Sequence, residues 1–159
     1  MLTRPAGPLD DAFPWRAGSA LRHGPAPAAD LPAPAVTVLR DVTRGATREL
    51  TLQISSRRDA ATLGLWVDAR SATVVSATVG GRDVPTGRSR AKWDFGFRFY
   101  GASADGVEVR LRLDQRADDV TVRVADSTHD LGDVPGFVPP PEGRVLVTPE
   151  VVVTRALTL

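Results

Sequence analysis

Catalysis needs a nucleophile or a metal, a base and an orienting group within reach of one another, and this sequence holds few side chains that qualify. Its two histidines are His23 and His129. His129 lies in Asp126-Ser127-Thr128-His129-Asp130-Leu131-Gly132-Asp133, which sets one imidazole among carboxylates within a single short stretch. Carboxylates with an imidazole can hold a divalent ion, but the spacing fits neither a calcium-binding loop nor a histidine pair on one helix face. The simpler reading is an Asp/Ser/Thr-rich turn whose side chains cap the backbone as the chain leaves a strand. No Gly-x-Ser-x-Gly elbow accompanies His129, which removes the usual serine-hydrolase arrangement. The glycines are scattered rather than gathered into a phosphate-cradling loop before a helix. Cysteine is absent, so disulfides, zinc–thiolate sites and thiol chemistry are excluded.

Aromatic rings offer a second kind of chemistry. Lys92-Trp93-Asp94-Phe95-Gly96-Phe97-Arg98-Phe99-Tyr100 is the densest cluster, and spacing of two puts Trp93, Phe95, Phe97 and Phe99 on one face of a strand. Such a row serves either as a stacking platform for sugars or bases or as bulk for a core. Alternation with Asp94, Gly96 and Arg98 favours the core, and Trp66, between Leu65 and Val67, is likewise expected to be packed rather than ligand-facing. Arg110, Arg112, Arg116 and Arg123 resemble a basic stripe, but Glu108, Asp114, Asp118 and Asp119 stand among them. A solvated face with cross-strand ion pairs is therefore expected, and nucleic acid is not expected as a partner.

These residues sit on segments whose hydrophobic period is two. Leu50, Leu52 and Ile54 alternate with polar residues, as do Val107, Val109, Leu111 and Leu113, and again Val120, Val122 and Val124. That is the pattern of a half-buried strand. Residues 36–40, 62–68, 73–79, 93–100 and 144–157 add further strands, the last bent near Pro149. Gly80-Gly81 reads as a tight hairpin turn into Arg82-Asp83-Val84, and Asp105-Gly106 opens another strand. About eight or nine short strands with turn signals between them predict an all-β fold, an antiparallel two-sheet β-sandwich.

Ahead of this region, Pro5, Pro8, Pro14, Pro25, Pro27, Pro32 and Pro34 deny helix and sheet their backbone donors. Residues 1–34 are thus expected to form a proline-rich extended leader, and residues 35–159 the β-sandwich. Phe13, Trp15 and Leu21 are large apolar residues for a solvated linker, so part of the leader is expected to lie along the domain or a neighbour. With 159 residues, 42% hydrophobic, 25% charged and a net charge of +1, the chain has the composition of one globular domain plus a tail. No stretch reaches the roughly 20 apolar residues of a spanning helix. The N-terminal residues lack the basic segment and apolar run of a secretory signal.

Two segments carry a resemblance. Trp93-Asp94-Phe95-Gly96-Phe97-Arg98-Phe99-Tyr100-Gly101, running into Asp105-Gly106-Val107-Glu108-Val109, is the first. The second is Val122-Arg123-Val124-Ala125-Asp126-Ser127, followed by Leu131 and Pro135-Gly136-Phe137-Val138-Pro139-Pro140-Pro141. Together they resemble the C-terminal β-rich region of bacterial membrane-associated peptidases of family 28, the di-zinc aminopeptidases, over about residues 35–159. Asp130 departs from that pattern, which has glycine before the leucine.

The resemblance implies a non-catalytic accessory domain on the extracytoplasmic face of the membrane. Its partners would be the catalytic and membrane portions of the same parent protein, since none of the family's zinc ligands can be placed on this chain. No catalytic residue, metal ligand or cofactor is assigned. A free-standing module binding protein or cell-wall glycan is the alternative. Trp15, Trp66, Tyr100, Asp126 and His129 are the candidate interaction residues.

Overall fold

The structure, a computed structural model, describes residues 4–5, 9–19, 22–25, 28–87, 92–115, 118–132 and 134–159. Leu21, Arg116, Asp133 and the side chain of His23, all singled out above, lie outside the described residues. The two shortest strands, β1 (Arg4–Pro5) and β2 (Arg22–His23), pair only with each other. Between them lies a 3-10 turn at Pro14–Arg16, and no helix among the described residues is long and apolar enough to cross a membrane.

The body is an all-β sandwich of two antiparallel sheets. The remaining strands are β3 (Ala35–Arg44), β4 (Thr47–Ser55), β5 (Thr62–Asp68), β6 (Ala72–Val79), β7 (Arg82–Val84), β8 (Trp93–Tyr100), β9 (Val107–Gln115), β10 (Thr121–Thr128) and β11 (Val151–Thr158). One sheet has the order β3-β4-β9-β6-β7 and the other β11-β10-β5-β8. Leu50, Leu52 and Ile54 face Leu111, Val109 and Val107 across the β4–β9 ladder, Leu113 stands opposite Arg48, and all are buried. From the opposite sheet Leu63, Leu65, Val67, Phe95, Val122 and Val124 close the same core, as a period of two requires of one inward face. Gly80 and Gly81 make the β6–β7 hairpin with φ of +56° and +77°, a pair of left-handed residues that matches strand twist in a two-residue turn. Gly106 is held against the carbonyl of Ile54, where a Cβ would overlap backbone.

Three expectations need correction. Trp93 does not share a face with Phe95, Phe97 and Phe99. The β5–β8 register pairs Val67 with Phe95 but Asp68 with Trp93, so Asp94 is an extra residue. This bulge turns Trp93 to the outer side of the four-stranded sheet, where it joins Trp66 in a cluster separate from the main core. The Asp94 carboxylate then reaches across the sandwich and accepts the Val74 amide at 2.7 Å. The last strand starts at Val151 rather than near Arg144, because Thr148 takes a left-handed φ of +48° just before Pro149. Finally, Asp126, Ser127 and Thr128 belong to β10 rather than to a turn, and the turn capping begins with Thr128 Oγ1 and the Asp130 carboxylate, which accept the amides of Asp130 and Gly132 at 3.2 and 2.8 Å.

Candidate functional site

The five candidate residues separate into two groups. Pairing of β5 with β8 sets Trp66 opposite Gly96, Gly64 opposite Arg98, and Thr62 opposite Tyr100. Pairing with β10 sets Arg123 opposite Trp66, Ala125 opposite Gly64, and Ser127 opposite Thr62. All of these side chains leave the outer face of the four-stranded sheet, since their neighbours Leu63, Leu65 and Val67 point into the core. Trp66 is therefore packed, on the outer face of the sheet rather than in the central core. Its indole lies flat across two glycines: a Cβ at Gly64 or Gly96 would overlap the ring.

Residues 9–19 of the leader cover this indole. Trp15 stacks on Trp66 with ring centroids 5.5 Å apart and planes tilted by 33°, and Phe13 meets Trp15 edge-on at 5.6 Å. The guanidinium of Arg98 sits 4.6 Å from the Trp15 ring and 5.2 Å from that of Tyr100, so it bridges the two by cation–π contact. Arg98 also pairs with Glu150 and donates to Ser127 Oγ at 3.1 Å. On the other side of the strap, Asp11 pairs with Lys92 and lies 3.8 Å from Arg123. Arg123 accordingly occupies a sheltered place under the leader rather than a solvated face. Trp66 is left only 3% exposed, while Tyr100, at 67%, remains open to solvent.

Asp126 and His129 belong elsewhere. Asp126 is paired in register with inward-facing Leu63, so its carboxylate enters the end of the sandwich. There it accepts Ser56 Oγ at 2.6 Å and Arg58 Nε at 2.9 Å, with both members of the ion pair buried. Arg58 continues to the carbonyl of Val151 at 2.9 Å and so ties the β4–β5 connection to the start of β11. His129 is exposed, and its Nδ1 lies 2.6 Å from the carbonyl oxygen of Pro149. Since a carbonyl only accepts, the ring carries its proton on Nδ1. This contact closes the base of the segment joining β10 to β11. No group of three or more His, Cys, Asp or Glu side chains converges among the described residues.

Two further features frame the molecule. The segment between β10 and β11 presents Phe137, Val138, Val145, Leu146 and Val147 to solvent, with Val138, Val145 and Val147 at 80%, 85% and 83% exposure. At the opposite end of β4, an open groove of about 660 Å³ is lined by Asp41, Arg48, Asp118, Asp119 and Leu159. Its Arg48 grips Asp41 through two hydrogen bonds, at 2.8 and 2.6 Å. The same hydrogen bonds hold the Asp41 carboxyl below its usual range and raise the Arg48 guanidinium.

Sequence reasoning set Gly96 and Arg98 on the face away from the core but did not join them, or Asp11, Lys92 and Gly64, to the Trp66 ring. The available signal was the pair of outward-facing glycines, Gly64 two residues before Trp66 and Gly96 on a strand of matching length. Glycine on an open strand face marks close approach of a ring.

The fold and this face define an all-β, two-sheet sandwich with an aromatic and cationic outer surface strapped by its own leader. Comparison with family models, curated proteins and solved structures gives no match.

Proposed function

We propose that this chain is a non-catalytic accessory domain that docks against the catalytic and membrane portions of a zinc metallopeptidase on the extracytoplasmic face of the membrane. The observation that carries the docking role is the segment between β10 and β11. Its Val138, Val145 and Val147 are the most exposed large hydrophobics among the described residues, and three consecutive prolines stiffen it. Contiguous exposed apolar residues on a soluble surface are an interaction signature, and a connection of this length without regular structure is usually a functional one. A proline-stiffened segment also loses less chain entropy on binding.

Further support comes from how the reactive side chains are used. Asp126 is engaged by Arg58 and Ser56, Glu150 by Arg98, and His129 by the Pro149 carbonyl. Each serves to hold segments of this chain together. The identity of the larger partner rests on the resemblance of residues 93–109 and 122–141 to the family 28 region.

Two measurements test this reading. The reading frame upstream of Met1 in the parent genome should continue into membrane helices and a zinc-binding domain, and a frame that does not would remove the peptidase partner. The isolated chain should not hydrolyse aminoacyl anilides with zinc supplied; hydrolysis that tracks bound zinc would overturn the non-catalytic role.

The glycan-binding alternative draws on Tyr100, among the described residues the one exposed ring beside a guanidinium on the outer face. Trp66 and Trp93 are buried, so the platform would consist of Tyr100 with Arg98. Saturable binding of peptidoglycan fragments that is lost in Tyr100→Ala would favour it.

A further inference from the structure

We propose that the outer face of the four-stranded sheet is a peptide-docking surface which residues 9–19 fill in cis, and that it accepts from a partner protein a segment of the same chemistry: an aromatic ring with a carboxylate four residues before it. This inference does not depend on the peptidase reading.

The strap behaves structurally as a bound ligand does. Its backbone hydrogen bonds among the described residues are internal: Ala12 and Phe13 donate to Leu9, Arg16 to Phe13, Ala17 to Pro14, and Ser19 to Arg16. The Gly18 amide donates to the Asp10 carboxylate at 2.7 Å. The strap is thus a self-folded unit, and side chains alone fix it to the sheet. Trp15 lies on the Trp66 indole, Ala17 is buried in the same cluster, and Asp11 sits between Lys92 and Arg123.

The receiving face is built for such an occupant. Gly64 and Gly96 lower the floor so that the Trp66 ring lies flat and offers its whole face. Lys92, Arg98 and Arg123 surround it with positive charge; among the described residues Glu150 pairs with Arg98, and Asp68, hydrogen-bonded to Arg70, acts on Lys92 through its charge. A flat ring bordered by cations selects a planar apolar group with an anion at a fixed offset. Trp15 and Asp11 supply that pair. Because no ladder hydrogen bond has to break, a competing segment can displace the strap while the sandwich stays folded.

The test uses the full chain and a synthetic peptide of residues 9–19. In wild type the cis strap should lower the apparent affinity of the peptide by the fraction of time the face is covered. A full-chain Asp11→Asn/Trp15→Ala variant should bind the peptide, measured by titration calorimetry, at least about tenfold more tightly than wild type does. A peptide carrying the same two changes should not bind. Absence of saturable binding to the variant up to about 1 mM peptide, or binding indifferent to the peptide changes, overturns the proposal.

Amide exchange on wild-type chain gives a second reading that no folding defect can obscure. The amides of Ala12, Phe13, Arg16 and Ala17 should exchange at a lower opening free energy than those of β5 and β10; exchange only with global unfolding would mean that the strap never opens, and overturns the proposal. Sedimentation across a concentration series should show wild-type monomer. A dimer that disappears in the Asp11→Asn/Trp15→Ala variant would assign the face to a second copy's leader and overturn the partner-protein form of the proposal.

Discussion

Replacing Asp126 with alanine should damage the fold more than any change on the exposed loops. The carboxylate accepts Arg58 Nε at 2.9 Å and Ser56 Oγ at 2.6 Å in a site closed to solvent. Its removal leaves a buried guanidinium whose remaining acceptors are the carbonyls of Val151, at 2.9 Å, and residue 126 itself, at 3.4 Å. Breaking one side of a buried pair costs about 3–5 kcal/mol, because the surviving charge stays desolvated. For a chain of this size that is a fall in Tm of roughly 6–20 °C, at about 2–4 °C per kcal/mol. It also consumes a large part of the ~5–15 kcal/mol of net stability typical of a domain. Urea unfolding followed by tryptophan fluorescence and far-UV circular dichroism measures it. A combined Arg58→Met/Asp126→Leu variant, which removes both charges and keeps apolar volume, should recover most of the loss. A loss below about 1 kcal/mol in Asp126→Ala, or a double variant no better than the single, would show that the pair does not hold the sandwich end together.

The other expectations are smaller in scale. Gly64→Ala and Gly96→Ala should each lower stability by about 1–3 kcal/mol, seen in the urea midpoint, since the new methyl must displace the Trp66 ring and the strap above it; unchanged midpoints would refute the flat-ring cradle. Asp41 and Asp68 are held below the usual carboxylate range, first by side-chain hydrogen bonds from Arg48 and Arg70 respectively. Their contribution is therefore full above the unfolded value near 3.8 and is lost as the pH falls through the lower folded values. Stability measured from pH 6 to pH 2 should decline only below about 4, and less steeply in Asp41→Asn/Asp68→Asn. Val145→Asp/Val147→Asp should leave the unfolding midpoint within about 0.5 kcal/mol of wild type, because both side chains are solvated.

Much of the architecture was legible because a period of two leaves little choice. Leu50, Leu52 and Ile54, or Val107 to Leu113, can bury only one face, and two such faces must meet. The Gly80-Gly81 turn was equally direct. What escaped detection depended on single-residue insertions and on tertiary choices. Nothing local marks Asp94 as a bulge, because its cause is a carboxylate satisfying the Val74 amide on the other sheet; the consequence is that Trp93 changes side. Val145 and Val147 carry strand propensity, yet a strand forms only with a partner, and β11 meets β10 from Val151 onward. Asp126 read as a polar turn because its hydrogen-bond partner, Arg58, lies 68 positions away in the chain. The outer face was visible only in fragments. Trp15, Trp66 and Tyr100 could be named singly, but Asp11 and Lys92 acquire meaning only once the leader folds back on the sheet.

In the proposed role the sandwich docks through its exposed apolar segment between β10 and β11. That contact is tested by sedimentation velocity of the full chain mixed with the catalytic portion proposed for its parent protein. A one-to-one complex is expected, lost in Val145→Asp/Val147→Asp while the variant remains folded. Two species that sediment independently at about 10 µM each, where a specific contact of micromolar affinity would be half formed or better, would contradict it.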